Sequence, residues 1–152
     1  MDRVEIVPAQ PAEQEWCARL MAQNEPWITL QRDLDGCRAT LSRSGTELFV
    51  ARDPDTDHSL GFILLAPYGL AASPYIACFA VAEEARGQGV GAKLLAFTEQ
   101  RYHDRRDIFL LVSSFNPRAQ QFYRRHGYNF VAELKDYLVP GHSELLFHKR
   151  LP

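Results

Sequence analysis

Apolar positions along the chain switch between a period of two and a period near 3.6, and each switch marks an element. Val4-Glu5-Ile6-Val7 alternates as a short strand. After Pro11, Trp16, Leu20 and Met21 fall on one face of a helix that ends before Pro26. Trp27-Ile28-Thr29-Leu30 is a short apolar loop, and Thr29 caps a second helix running towards Ser44. Strands follow from Glu47 to Ala51 and from Leu60 to Leu65, and the turn Asp53-Pro54-Asp55-Thr56-Asp57 joins them as a hairpin. Tyr75 to Val81 is an apolar strand, followed by a helix over about 89–103 on which Val90, Leu94 and Phe97 share a face. Ile108 to Val112 is continuously apolar, as a strand covered on both faces would be. Asn116-Pro117 opens a helix, with Asn as cap and Pro at the first position, and His126-Gly127 closes it. Two last strands, around 128–139 and 143–150, are joined by Pro140-Gly141.

The order is β-α-α-β-β-β-α-β-α-β-β, an α/β chain (α+β in the looser sense) with helices packed on a mixed sheet. Its 152 residues fit one domain, spanning 1–152. The apolar and charged shares, 46% and 24%, are those of an ordinary globular protein. A net charge of −2 gives no electrostatic footprint for nucleic acid. Met1 to Glu5 lacks the apolar core of a signal peptide and no stretch is long enough to span a bilayer, so no membrane partner is expected and a cytoplasmic location is the default. Cys17, Cys37 and Cys78 are widely spaced and form no C-x-x-C pair, which suggests neither disulfides nor zinc. The aspartates at 53–57 lack the glycine and distal glutamate of a calcium loop and are a solvated turn.

Chemistry enters at Arg86-Gly87-Gln88-Gly89-Val90-Gly91, between the strand at 75–81 and its helix. Alternate glycines remove the Cβ atoms that would hold a ligand off the backbone. The first helical amides lack intrahelical acceptors, and the macrodipole favours an anion beside them. Arg86 adds a planar donor fork suited to phosphate. A diphosphate-bearing cofactor fits this turn better than a connection that binds nothing. A dinucleotide fold needs an acidic residue about 20 positions on, at the end of the next strand. Asp107 has the spacing but precedes its strand, which ends in Ser113-Ser114. No Gly-Lys-Ser/Thr is present, which excludes a P-loop.

Arg86-x-x-Gly89-x-Gly91, followed by Asn116-Pro117-Arg118-Ala119-Gln120-Gln121-Phe122-Tyr123 and then Gly127-Tyr128, resembles the GNAT superfamily of acyl-CoA N-acetyltransferases. The resemblance runs over roughly 45–150 and is sharpest over 79–92 and 113–128. It implies a sheet whose fourth and fifth strands splay, so that pantetheine enters the gap and pairs with the fourth strand. On that resemblance Phe79, Ala80 and Val81 contact the acetyl-pantetheine arm of acetyl-CoA. The amides of Arg86, Gly87, Gln88, Gly89, Val90, Gly91 and Ala92 hold the diphosphate, and Asn116, Ala119 and Phe122 face the pantetheine from the other side.

Asn116 and Tyr123 are two helical turns apart, about 10 Å along the axis, and so share a face. Aminolysis of a thioester expels a thiolate, and a tyrosine still protonated at neutral pH can protonate it. Tyr123 is the candidate general acid, set against a core tyrosine that only packs its helix. The nucleophile must be a neutral amine, and near neutrality only about one lysine ε-amine in a thousand is neutral. No base is identifiable. Where relatives place a glutamate, the fourth strand offers Tyr75, Ile76 and Cys78, and the fifth offers Leu111. A water held by Ser113 stays open as base, as do Glu25, Glu83 and Glu144. Direct transfer is expected over a cysteine intermediate, because Cys78 has no activating His or Lys beside it in sequence.

Trp27 falls where the family builds its acceptor wall, with core closure as the rival role. For Tyr137, Pro140 and His142, acceptor contact, hairpin packing and a homodimer contact all stand open. The histidines show no metal-ligand spacing, and no metal is expected. The expected activity is acetyl transfer from acetyl-CoA to a primary amine, on a small molecule or a protein N-terminus. A longer acyl donor is a weaker variant. The rival from another class is a noncatalytic CoA-binding or regulatory module.

Overall fold

A computed structural model of the chain describes residues 3–152, so Met1 and Asp2 of the expected domain lie outside the described residues. β1 (Glu5–Pro8) leads through α1 (Pro11–Ala22) and α2 (Leu34–Leu41) into β2 (Glu47–Arg52), β3 (Ser59–Leu70) and β4 (Ser73–Val81). After a 3₁₀ turn at Glu83–Ala85 come α3 (Val90–Arg101), β5 (Asp107–Ser113), α4 (Pro117–Arg125), β6 (Asn129–Leu134) and β7 (Glu144–Arg150). The strands form one seven-stranded sheet in the order β1-β2-β3-β4-β5-β7-β6. All neighbours are antiparallel except β4 and β5, which are parallel.

The two faces of the sheet carry separate cores. Phe49, Ile63, Leu65, Ile108, Leu110 and Phe147 pack with Val90, Leu94 and Leu95 of α3 and Tyr123 of α4. On the opposite face Phe62, Leu64 and Cys78 meet Cys17, Ala18 and Met21 of α1 and Cys37 and Leu41 of α2. β3 contributes alternate residues to both, as the period of a strand buried on two faces requires.

Three local expectations are corrected. The cap of α2 is Asp33, whose side chain accepts from the Gly36 N–H at 2.8 Å, and the helix stops at Leu41. Thr29 does not cap it, because its N–H and hydroxyl are both taken by the Glu25 carboxylate, at 2.9 and 2.7 Å. β3 continues to Leu70, past Pro67 and Gly69, by shifting register against β4. The last hairpin is looser than expected, with β6 ending at Leu134 and residues 135–143 forming the connection.

Candidate active site

β4 and β5 are paired only at Tyr75↔Phe109 and Ile76↔Leu110. Immediately beyond, Ala77 is the extra residue of a bulge, since Leu64 lies opposite Cys78 while Leu65 lies opposite Ile76. From there β4 runs on with β3 as its only partner among the described residues. The Ala82 N–H donates to the Leu60 carbonyl at 2.8 Å, so residue 82 turns its amide towards β3. Amides alternate sides along a strand. Ala80 therefore also faces β3, while Phe79 and Val81 turn their N–H and C=O groups to the side β5 has left. Arg86 is an independent check, because its Nε reaches the Val81 carbonyl at 3.3 Å from that open side. This is an unpaired strand edge inside a sheet.

The glycine turn lies at the end of this edge. Gly87 and Gly89 have φ of +77° and +84°, a left-handed backbone, and a Cβ on either would meet nothing within 4 Å. Their N–H groups, and that of Gln88, have no backbone acceptor among the described residues. Gly91 has another reason to be glycine: a Cβ there would come within 3.1 Å of the Phe122 ring and 3.4 Å of Phe79. Gly87 and Gly89 thus leave open space over the turn, whereas Gly91 admits aromatic side chains. Val90 is buried beneath the turn and Ala92 is half-buried in the first turn of α3. Arg86 also donates to Asn24 Oδ1 at 3.3 Å, and its pairing with Val81 and Asn24 folds it over the strand edge.

α4 closes the other side of the gap. Asn116 caps it by accepting from the Ala119 N–H at 3.2 Å, as the Asn-Pro start predicts. Gln120 fastens the helix to β5 by donating to the Ser113 and Ser114 carbonyls. Ala119, Phe122 and Tyr123 then pack onto the sheet, with the Tyr123 ring centroid 6.0 Å from that of Phe79 and 5.9 Å from that of Tyr128. Tyr123 is 7% exposed, and burial pushes its phenol well above the usual tyrosine value. Its hydroxyl makes no hydrogen bond, yet no buried side-chain polar atom among the described residues is left unpartnered. The hydroxyl therefore keeps only a little accessible surface.

Opposite α4, the sheet presents its other face. Ile108, Leu110 and Val112 belong to the core under α3, so Phe109, Leu111 and Ser113 project the opposite way, with Glu144 across the ladder from Ser113. Tyr75 stands beside them on β4, its phenol raised by burial. Cys78 is buried there, and burial pushes its thiol up to about 12. Burial thus disfavours the thiolate that a nucleophilic cysteine needs. Trp27 is 6% exposed and stacks on Phe62 at 6.5 Å, so it seats its loop in the core and leaves Ile28, 53% exposed, outside. Tyr137 is exposed on the 135–143 connection, close enough for its field to reach Tyr75.

Of the glutamates open as base, the exposed Glu25 is engaged by Thr29, and Glu83 is exposed beside the glycine turn. Glu144 alone is buried, hydrogen-bonded to Ser113 at the end of β5 and near enough for its charge to act on Tyr75 of β4. No local pattern marks it, because it reaches the site through a ladder between strands 31 residues apart.

An open strand edge, an amide-rich turn at its end and a tyrosine packed beside it make up a candidate ligand site. Comparison with known proteins bears on which ligand. The family profile described as an acetyltransferase (GNAT) domain matches residues 44–130. The acetyltransferase Atu2258 of Agrobacterium fabrum is 33% identical over 76 residues, a match covering 50% of this chain and 55% of that protein. A Desulfovibrio desulfuricans protein assigned to the GNAT family superposes with a TM-score of 0.79 at 19% identity, over 99% of this chain and 100% of that one. Spermidine N-acetyltransferase from Vibrio cholerae, solved with CoA and spermine, gives 0.76 at 14% identity over 99% and 96% of the chains. The chain belongs to the GNAT acetyltransferase family.

Proposed function

We propose that the protein transfers the acetyl group of acetyl-CoA to a primary amine by direct attack within a ternary complex. The observation that carries this is the strand edge at Phe79 and Val81, which ends at the amides of residues 87–89, with the Tyr123 ring packed 6.0 Å from that of Phe79. An extended amide-bearing arm satisfies that edge as an added strand would. Ala80 contributes only its side chain, since its backbone belongs to β3. Gly87, Gln88, Gly89, Val90, Gly91 and Ala92 supply amides for the diphosphate, and Arg86 supplies charge once released from Val81 and Asn24. Asn116, Ala119 and Phe122 form the opposite wall.

Tyr123 donates its proton to the departing thiolate. Burial suits it to the task, because the phenol stays protonated through the neutral range. Tyr75, Ser113 and Tyr137 border the acceptor side, where the amine of a small molecule or a protein N-terminus enters.

The test is thiol release from acetyl-CoA in the presence of a panel of primary amines, comprising polyamines, an aminoglycoside, amino acids and peptides with free N-termini. Acceptor-dependent release supports an enzyme. Tight acetyl-CoA binding by calorimetry with no release from any amine would make the protein a noncatalytic CoA-binding module.

A further inference from the structure

Glu144 sits where a glutamate is costly. It is 4% exposed, and its Oε2 accepts from the Ser113 hydroxyl at 2.8 Å. No cation lies within ion-pair distance of it among the described residues. A buried carboxylate with one hydrogen bond and no counter-ion destabilises a fold unless something else retains it. Its Oε1 makes no hydrogen bond, and since no buried side-chain polar atom among the described residues is left unpartnered, that oxygen keeps a little accessible surface. Charged and titratable groups surround it from several elements: Arg32 of the loop before α2, His142 of the connection before β7, and Tyr75 of β4. Burial raises its proton affinity, and Ser113, Arg32 and His142 oppose that rise without cancelling it.

We propose that Glu144 is the general base of the transfer proposed above, accepting a proton from the acceptor's ammonium group, with Ser113 as the residue that positions its carboxylate. The inference rests on that reading of the site. The Glu144 oxygen takes one proton from R–NH₃⁺ and frees the nitrogen lone pair. Nitrogen bonds to the thioester carbonyl carbon, the C–S bond breaks with its electron pair on sulfur, and the thiolate takes the Tyr123 proton. The nitrogen, now positive, loses its second proton to the Tyr123 oxygen, and Glu144 returns its own to solvent. One ammonium and one thioester give one amide, one thiol and one proton.

The experiment follows kcat/KM against pH, using acetyl-CoA and the best panel amine with a pKa above about 9, the range of an ordinary alkylamine. Glu144→Gln keeps the Ser113 hydrogen bond and should lower kcat/KM about 10²–10⁴-fold at neutral pH. The deficit should shrink as pH approaches the amine's own pKa, where no base is needed. Ser113→Ala keeps the carboxylate and removes a bond to its charged form, so the acid limb of the profile should move to higher pH. A Glu144→Gln protein that matches the natural chain at neutral pH overturns the proposal. So does a uniform loss at every pH with the Ser113→Ala profile unmoved, since that marks packing alone. If Glu144→Gln does not fold, as judged by acetyl-CoA affinity, the Ser113→Ala limb decides. A natural chain that releases no thiol with any amine refutes the enzyme reading itself, a different result from an active Glu144→Gln.

Discussion

Tyr123 separates packing from chemistry because its ring and its hydroxyl have different neighbours. The ring is wedged among Phe79, Phe122 and Tyr128, while the hydroxyl has no partner. Tyr123→Phe should leave stability and acetyl-CoA affinity nearly unchanged and lower the transfer rate about 10²–10⁴-fold. Steady-state kcat on the true acceptor checks this, and a value near that of the natural chain removes Tyr123 from the mechanism. Because burial raises the phenol, no falling limb from Tyr123 should appear below about pH 10, its ordinary value. Asn116 and Tyr123 were legible in sequence because helix geometry alone relates a cap to a residue two turns on. Glu144 was legible only as one glutamate among several, since its burial depends on which strand lies beside β5. Trp27 shows the same limit. An apolar loop residue has no inside or outside until Phe62 is placed beneath it.

Among elements, the glycine turn and α4 carry the proposed site. Gly89 adopts φ +84°, so Gly89→Val meets backbone strain even though its Cβ would enter open space. Loss of acetyl-CoA binding in a folded Gly89→Val protein is the expected calorimetric result, and unchanged affinity would move the diphosphate elsewhere. Arg86→Ala should weaken binding less, by about 1.5–3 kcal/mol at most for one charge-assisted contact. Asn116→Ala removes the cap of α4, worth about 1 kcal/mol. The turn and the Asn-Pro start were readable because each rests on local backbone chemistry. The end of β3 was not, since Pro67 and Gly69 look like punctuation until the ladder continues to Leu70↔Ser73.

Across the whole molecule, two carboxylates bind stability to pH with opposite signs. Asp107 ties β5 to β7, accepting from His148 at 2.6 Å and Arg150 at 2.8 Å, and these bonds hold its carboxyl below the usual range. Its contribution is complete above the ordinary value near 4 and is lost as pH falls through the depressed one. Asp107→Asn should therefore lower Tm at pH 7 and converge with the natural chain in acid. Glu144 is raised, so its charge costs stability above its folded value and the cost disappears as pH falls through it. Glu144→Gln should melt at or above the natural Tm at pH 8, the trade expected where a group is kept for function. The sparse seam between β4 and β5 has a further consequence. Two pairs, at Tyr75 and Ile76, join β1-β2-β3-β4 to β5-β7-β6, whereas β5 and β7 run in register from Asp107↔Arg150 to Ser113↔Glu144. The sheet is two panels held by one clasp, and an arm laid along β4 would close the zip below it. In deuterium exchange the Phe79 and Val81 amides should label quickly in the free protein and slowly with acetyl-CoA, while Ala80 between them stays protected in both.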